Sequence, residues 1–445
     1  MLERCDYRQA RDVMMGCVSP VGTEEVSLSA CAGRVLARQL VAGADIPPFD
    51  RSPYDGYAFR AEDVEKASPR SPVTLRIVDY IAAGDLPHVA LTGGTAARLM
   101  TGAPVPEGAD AVLPFEKTRF TEQEVTIETP VTAGTNVIYA GEDVQKGTVL
   151  CHPGARIDAG LAGTLAGQGI IAPLVYKKPL VAVISTGTEI LEEGEAAAPG
   201  RIYNSNRYSL QAACQLAGCE TVYIGTARDD ADVIAQMIEE AFGKCHAVIL
   251  SGGVSVGDFD CTPAAMEKAG VQILAHGLAL KPGMAGAYGI YRAEGEQVSG
   301  ESYAPGNSRE SVISSESSAP GNRREKVIPV FGLSGNPAAC MTAFYALVLP
   351  VLRRQMGIAP EGCVTEHIRV RLAEDYSRRN QSCRLLRGRV DLTAAVQEME
   401  ITGRQGNQVL SSLAGSNAFA EIPAGASVRA GQEVDAFLLG EPGLF

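Results

Sequence analysis

The run Ser251 to Asp260, SGGVSVGDFD, gathers the densest set of chemically useful residues in the chain. It follows the apolar stretch Ala247-Val248-Ile249-Leu250, which reads as a buried strand of a parallel sheet. Glycine lets a backbone approach a ligand closely, and successive N–H groups form an anion-binding nest. Asp258 and Asp260 would repel a bare phosphate. A divalent cation between nest and acids reconciles the two, so the loop predicts a phosphorylated ligand held with a metal.

Two more loops share this character. STGTEI offers the hydroxyls of Ser185 and Thr186, the flexible Gly187 and the carboxylate Glu189. GLSGNP, with Gly335, Asn336 and Pro337, leads into a helix whose N-terminus favours anions. Asp229 and Asp230 end a further strand. Lys281, in the KPG run, either neutralises ligand charge or is a solvated lysine before a turn. Earlier in the chain, FDRSPYDGYA carries Asp50 and Asp55, MTGAPVPEGAD carries Thr101, and GEDV carries Asp143. Each of these also fits a plain turn.

The elements that must hold these loops follow from periodicity. Strands at Leu180–Ile184, Thr221–Gly225, Ala247–Leu250 and Val327–Phe331 alternate with helices at Asn206–Ala217, Ala231–Phe242 and Ala338–Leu352. This predicts a doubly wound α/β domain with a parallel sheet, whose strand carboxyl ends bind the ligand. Residues 48–142 form a turn-rich β unit. Residues 1–47, with helices at Tyr7–Cys17 and near Ala30–Leu40, pair with the Gly- and Ala-rich residues 143–178 as a discontinuous linker unit. Residues 359–445, with β-type runs including Val409–Leu413, form a small barrel. The α/β domain spans 179–358, and its Ser-, Gly- and Glu-rich segment 293–326 is expected to be a mobile insertion.

Bulk composition narrows the function classes. The chain has 445 residues and a net charge of −13, which argues against a broad nucleic-acid surface. Eleven scattered cysteines without a CxxC pair suggest cytosolic thiols rather than disulfides or a zinc site. The N-terminus shows no secretory pattern, and no run reaches the apolar length of a membrane span. The expectation is a cytoplasmic enzyme or binding protein, with no membrane and no nucleic-acid partner.

Together FDRSPYDGYA, MTGAPVPEGAD, GEDV, STGTEI, YNSN, SGGVSVGDFD, KPG, GLSGNP and GSNAF closely resemble the molybdopterin molybdenumtransferase family, which includes bacterial MoeA and the E domain of gephyrin. The resemblance implies α/β plus β architecture: a three-layer doubly wound domain, a β-rich insertion-type domain, an N-terminal extended linker domain and a C-terminal β-barrel. It implies a homodimer that inserts molybdate into adenylylated molybdopterin with Mg²⁺ and releases AMP. It also implies the molybdopterin adenylyltransferase and recipient molybdoenzymes as partners. Asp55, Thr101 and Asp143 would face the partner's site, and Glu189, Asp229, Asp260 and Lys281 would come from the α/β domain. Asp55, Asp143, Glu189 and Lys281 would be catalytic, and Asp229 and Asp260 would hold the metal. Ser251, Gly252, Gly253 and Ser255 would cradle phosphate, with Thr101, Ser185, Thr186, Gly187, Gly335, Asn336 and Pro337 also binding substrate.

Three positions depart from the family pattern. Met284 stands where the family has a lysine, Ala339 where it often has serine, and Ser382 where an arginine is usual, with Arg384 and Arg387 nearby. Thr188 replaces a commoner aspartate. In the family the first three positions are associated with molybdate, so two readings stay open. One is an active transferase with a rebuilt oxyanion pocket; the other is a non-catalytic molybdopterin carrier or scaffold.

Overall fold

The computed structural model describes residues 1–254, 261–293, 326–365 and 367–440. Ser255, Asp258, Asp260 and most of the expected insertion lie outside the described residues.

A seven-stranded sheet organises the α/β unit. Its order is Leu2–Cys5, Gln272–Leu278, Gly286–Ala293, Lys326–Leu333, Ala247–Ser251, Leu180–Thr186 and Glu220–Ala227. The last four strands are mutually parallel. Alternation along them feeds two cores: Val183 and Ile249 pack on one face with Leu210 and Leu347, while Ile184 and Leu250 pack on the other with Ile234 and Met266. That is the doubly wound arrangement, with helices on both faces. The sheet is mixed rather than wholly parallel, because Gly286–Ala293 runs antiparallel to both neighbours. The connection 279–285 before it is too short for a parallel crossover. Leu2–Cys5 extends the sheet as an edge strand alongside Gln272–Leu278.

The β-rich unit is a six-stranded sheet containing Gly56–Phe59, Val73–Ile81, Thr95–Leu99 and Ala111–Pro114. Gly56 has a physical reason to be glycine: a Cβ there would lie 2.1 Å from the Leu113 carbonyl oxygen.

The linker unit joins distant segments. Thr23–Glu25 pairs with Leu174–Tyr176, and Leu40–Val41 with Val149–Cys151. No long helix forms near Ala30–Leu40. A single short 3-10 turn, Leu28–Ala30, precedes Gly33, whose φ is +74°. The backbone beyond is committed elsewhere, with Gly33 N–H donating to Ile157 at 2.8 Å and Leu36 N–H to Ala155 at 2.8 Å. These long-range bonds override the local helical pattern.

The last unit closes into a barrel of five strands, Cys383–Val390, Glu398–Ile401, His367–Leu372, Glu433–Leu438 and Ala418–Ile422, to which Leu280–Lys281 adds. Its residues Leu385, Phe419 and Phe437 share a core with Phe344 and Leu347 of the α/β unit. The expected strand at Val409–Leu413 is instead a 3-10 turn, Leu410–Ser412. Ser412 explains it: its hydroxyl donates to the Val409 carbonyl at 2.6 Å, a local bond that competes with a ladder.

Candidate functional site

The carboxyl ends of the parallel strands open into a cleft of about 1060 Å³. Ser185, Thr186, Gly187 and Glu189 line it beside Asp229, Ser251, Gly252 and Gly253. Gly335, Asn336 and Pro337 complete that wall. The fold therefore brings the three glycine-rich loops and two carboxylates to one place.

Glycine is required at the crossing of two of these loops. Gly252 has φ +114°, and a Cβ there would lie 2.3 Å from the Thr186 carbonyl oxygen. Its N–H is already spent on the Leu333 carbonyl at 3.0 Å. Among the described residues of this loop, the amides of Gly253 and Val254 have no described partner and are free to donate.

The helix that follows GLSGNP corrects the sequence expectation. Pro337 has no N–H, and the Ala338 and Ala339 amides donate to the Asn407 carbonyl at 3.0 and 3.2 Å. A carbonyl from the barrel thus occupies the helix N-terminus that was expected to receive an anion. The loop carrying Asn407 is held by buried cations. Arg384 donates to the Gln405 carbonyl, and Arg387 donates to the Gly406 carbonyl at 3.1 Å and to the Ser412 hydroxyl at 2.6 Å. Burial pushes the Arg387 pKa down to about 10.

Several groups in the site have no role assigned to them from the sequence. Asn206, at the start of helix Ser205–Leu216, donates to the Ser251 hydroxyl at 2.6 Å and to the Gly335 carbonyl at 2.9 Å. It therefore clamps two of the loops together. Asn204 caps the same helix by accepting from the Arg207 N–H at 3.1 Å, and it donates to the Ser185 hydroxyl at 3.0 Å. Behind it, Glu192 accepts from Tyr223 at 2.5 Å and Arg207 at 3.0 Å. Burial pushes the Glu192 carboxyl up, but hydrogen bonds from Thr226, Tyr223 and Asn204 outweigh it and hold the pKa below its ordinary value. The YNSN run was the available signal for both asparagines. Glu3, Arg4, His276, Asn407 and Gln408 also line the cleft, and nothing local in the sequence marked them.

Other predicted residues lie elsewhere. Asp55 and Thr101 meet at one end of the β-rich sheet, outside the cleft lining. Thr101 donates its N–H and hydroxyl to one Asp55 oxygen at 2.6 and 2.8 Å, which holds the Asp55 carboxyl below its ordinary value. Asp143 is exposed in the linker unit, beside Ile46. Lys281 stands in register with Arg384 across the seam between the α/β unit and the barrel, and it too is absent from the cleft lining. Met284 and Ala339 do line the cleft, whereas Ser382 does not. Among the described residues no cluster of three or more potential metal ligands occurs. A second cavity of about 800 Å³, walled by Leu216, Met341, Tyr345 and Leu413, contains none of the predicted site residues.

Three family models match most of the chain. Residues 5–169 match the MoeA N-terminal region (domain I and II), residues 182–354 a probable molybdopterin binding domain, and residues 369–439 the MoeA C-terminal region (domain IV). The chain belongs to the molybdopterin molybdenumtransferase family. That family places it among the transferases of molybdenum cofactor biosynthesis. The Bacillus subtilis molybdopterin molybdenumtransferase is 34% identical over 425 residues, covering 94% of this chain and 90% of the relative. The Staphylococcus epidermidis protein of that name is 33% identical over 414 residues, covering 93% and 90%. The crystal structure of a Pyrococcus horikoshii molybdopterin biosynthesis MoeA protein superposes with a TM-score of 0.79 at 32% identity, covering 98% of this chain and 99% of that one. No helix among the described residues is long and apolar enough to cross a membrane.

Proposed function

We propose that this chain inserts molybdate into adenylylated molybdopterin and releases AMP, as a homodimer whose cleft is completed by the partner's β-rich unit. The observation that carries the reading is the convergence of Ser185–Gly187, Ser251–Gly253 and Gly335–Pro337 on one cleft in a chain of this family. The free amides of Gly253 and Val254 bind the phosphate of the substrate. Glu189 and Asp229 are carboxylates without a cation partner in the cleft, a donor set that suits Mg²⁺, which takes one or two carboxylates together with phosphate oxygens and water. Bound there, Mg²⁺ would neutralise phosphate charge. Glu189 orients the water that cleaves the phosphoanhydride. Asp55 and Thr101 reach the cleft from the partner subunit, since their own subunit keeps them outside its lining.

Met284 and Ala339 favour a second reading, a carrier that binds the adenylylated pterin without processing it. Both line the cleft, and neither side chain offers a cation or a strong hydrogen-bond donor. Incubation with adenylylated molybdopterin, Mg²⁺ and molybdate separates the two. Molybdate-stimulated AMP release supports the transferase. Tight binding without release establishes the carrier.

A further inference from the structure

The cleft lining is net acidic, and one residue stands out against that charge. Its lining carries the carboxylates Glu3, Glu189 and Asp229, and the only permanent cation among the described lining residues is Arg4. His276 is the one other basic side chain there. Lys281 and Arg384, the cations expected from the sequence, are both outside the lining.

Arg4 reaches the cleft because the chain's first strand docks at the sheet edge. Leu2–Cys5 runs parallel to Gln272–Leu278, with Glu3 opposite His276 and Cys5 opposite Leu278. Arg4 therefore crosses Gly277. A Cβ at Gly277 would lie 3.5 Å from Arg4 Cγ and 3.5 Å from the Met284 carbonyl oxygen. The arginine thus lies close to the stretch of wall that carries Met284.

Two features show that Arg4 is not a spent structural cation. Its guanidinium makes no hydrogen bond or ion pair with any described residue, despite three carboxylates in the same lining. Its backbone sits at φ +43°, one of only two non-glycine residues among those described with positive φ. L-residues rarely adopt that conformation, and such strain clusters at ligand sites.

We propose that Arg4 is a substrate-binding residue that grips a tetrahedral oxyanion group in the cleft. Its planar fork matches two oxygens of such a group, which a lysine would meet only as a point charge. The group is either the phosphate of the adenylylated ligand or free molybdate; both present tetrahedral anionic oxygens. The inference rests on reading the cleft as the substrate site.

The test is calorimetric titration of the full-length protein and its Arg4→Gly, Arg4→Gln and Arg4→Lys variants, with AMP and with molybdate in separate arms. Arg4→Gly is the informative variant, because glycine adopts φ +43° freely. It should melt no lower than the parent protein and still bind at least roughly tenfold more weakly, as should Arg4→Gln. Arg4→Lys should fall between. Weakening in the AMP arm alone assigns the phosphate, and weakening in the molybdate arm alone assigns the free oxyanion. Unchanged affinity in both arms, with a parent protein that binds, overturns the role of Arg4 and leaves the cleft reading intact. A parent protein that binds neither overturns both.

Discussion

Asn206 donates its side-chain amide to the Ser251 hydroxyl at 2.6 Å, and the same nitrogen reaches the Gly335 carbonyl at 2.9 Å. One buried amide thus ties the loop after one central strand to the loop after its neighbour. The Gly335 carbonyl can only accept, so it fixes which end of the amide faces it. Replacing Asn206 with Leu leaves that carbonyl without its donor and should cost about 1–3 kcal/mol of stability. It should also weaken AMP binding by roughly tenfold, since the loops lose their register. Thermal melts and AMP titration check both effects. Asn206→Asp should be at least as damaging, because it sets an acceptor against an acceptor.

Gly252 is a tight point of the cleft. Alanine there meets the Thr186 carbonyl at 2.3 Å and must hold φ near +114°. Strain of this kind costs about 1–3 kcal/mol, and the loop would move rather than absorb it in full. Gly252→Ala should lower the melting temperature and abolish measurable AMP binding. Gly163 provides the contrast. It lies inside helix Ala159–Gly167, and a Cβ added there would meet nothing within 4 Å. Gly163→Ala should therefore stabilise the protein by about 0.5–1 kcal/mol and leave binding unchanged.

How far the sequence could be read depended on whether a signal was local. Ser251–Gly253 and Ser185–Gly187 were legible because glycine and small hydroxyl residues mark strand-to-helix loops directly. The carboxyl-end rule then placed them together without knowledge of the fold. Arg4 was not legible, because its place depends on an edge strand that pairs with residues about 270 positions later. The Asn407 carbonyl on Ala338 and Ala339 was hidden for a similar reason: a backbone acceptor from another unit leaves no trace in residue types. The 30–40 segment failed differently. Its helical pattern is real, but long-range backbone bonds to residues 155–157 and 174 outcompete it.

Glu192 gives the stability of the fold a pH dependence of definite sign. Its carboxyl is held below the ordinary value by hydrogen bonds from Thr226, Tyr223 and Asn204 that outweigh burial. A carboxyl with a depressed folded-state pKa stabilises the fold above its unfolded value, about 4.3, and loses that contribution as pH falls through the folded value. Melting temperatures measured from neutral pH down to about pH 3 should show this loss below about pH 4.3. In Glu192→Gln that segment of the curve should flatten. Parallel curves for the two proteins would show that the Glu192 network does not titrate as argued.

Met284 bears on the choice between transferase and carrier. It is 40% exposed on the cleft wall and contributes no charge. Met284→Lys adds a cation close to the backbone that Arg4 crosses, where an approaching oxyanion would feel it. Molybdate-stimulated AMP release should rise in this variant, with a lower molybdate concentration needed for half-maximal rate. An unchanged rate would place the oxyanion elsewhere in the cleft.

The separation of Asp55 and Thr101 from the cleft lining makes the shared-site reading testable in trans. Asp55→Asn and Glu189→Gln should each abolish molybdate-stimulated AMP release as pure proteins, because every site in each dimer lacks one essential carboxylate. Mixing the two and allowing subunits to exchange creates heterodimers. In a heterodimer one site combines the intact Glu189 of the first subunit with the intact Asp55 of the second, and the other site carries both lesions. Random pairing makes about half the dimers heterodimers, each with one intact site, so activity should recover to about a quarter of the parent value. A site built within one subunit predicts no recovery, since every subunit carries a lesion of its own. The mixing experiment therefore reads the origin of Asp55 directly, once melting curves show that both variants are folded and able to exchange subunits.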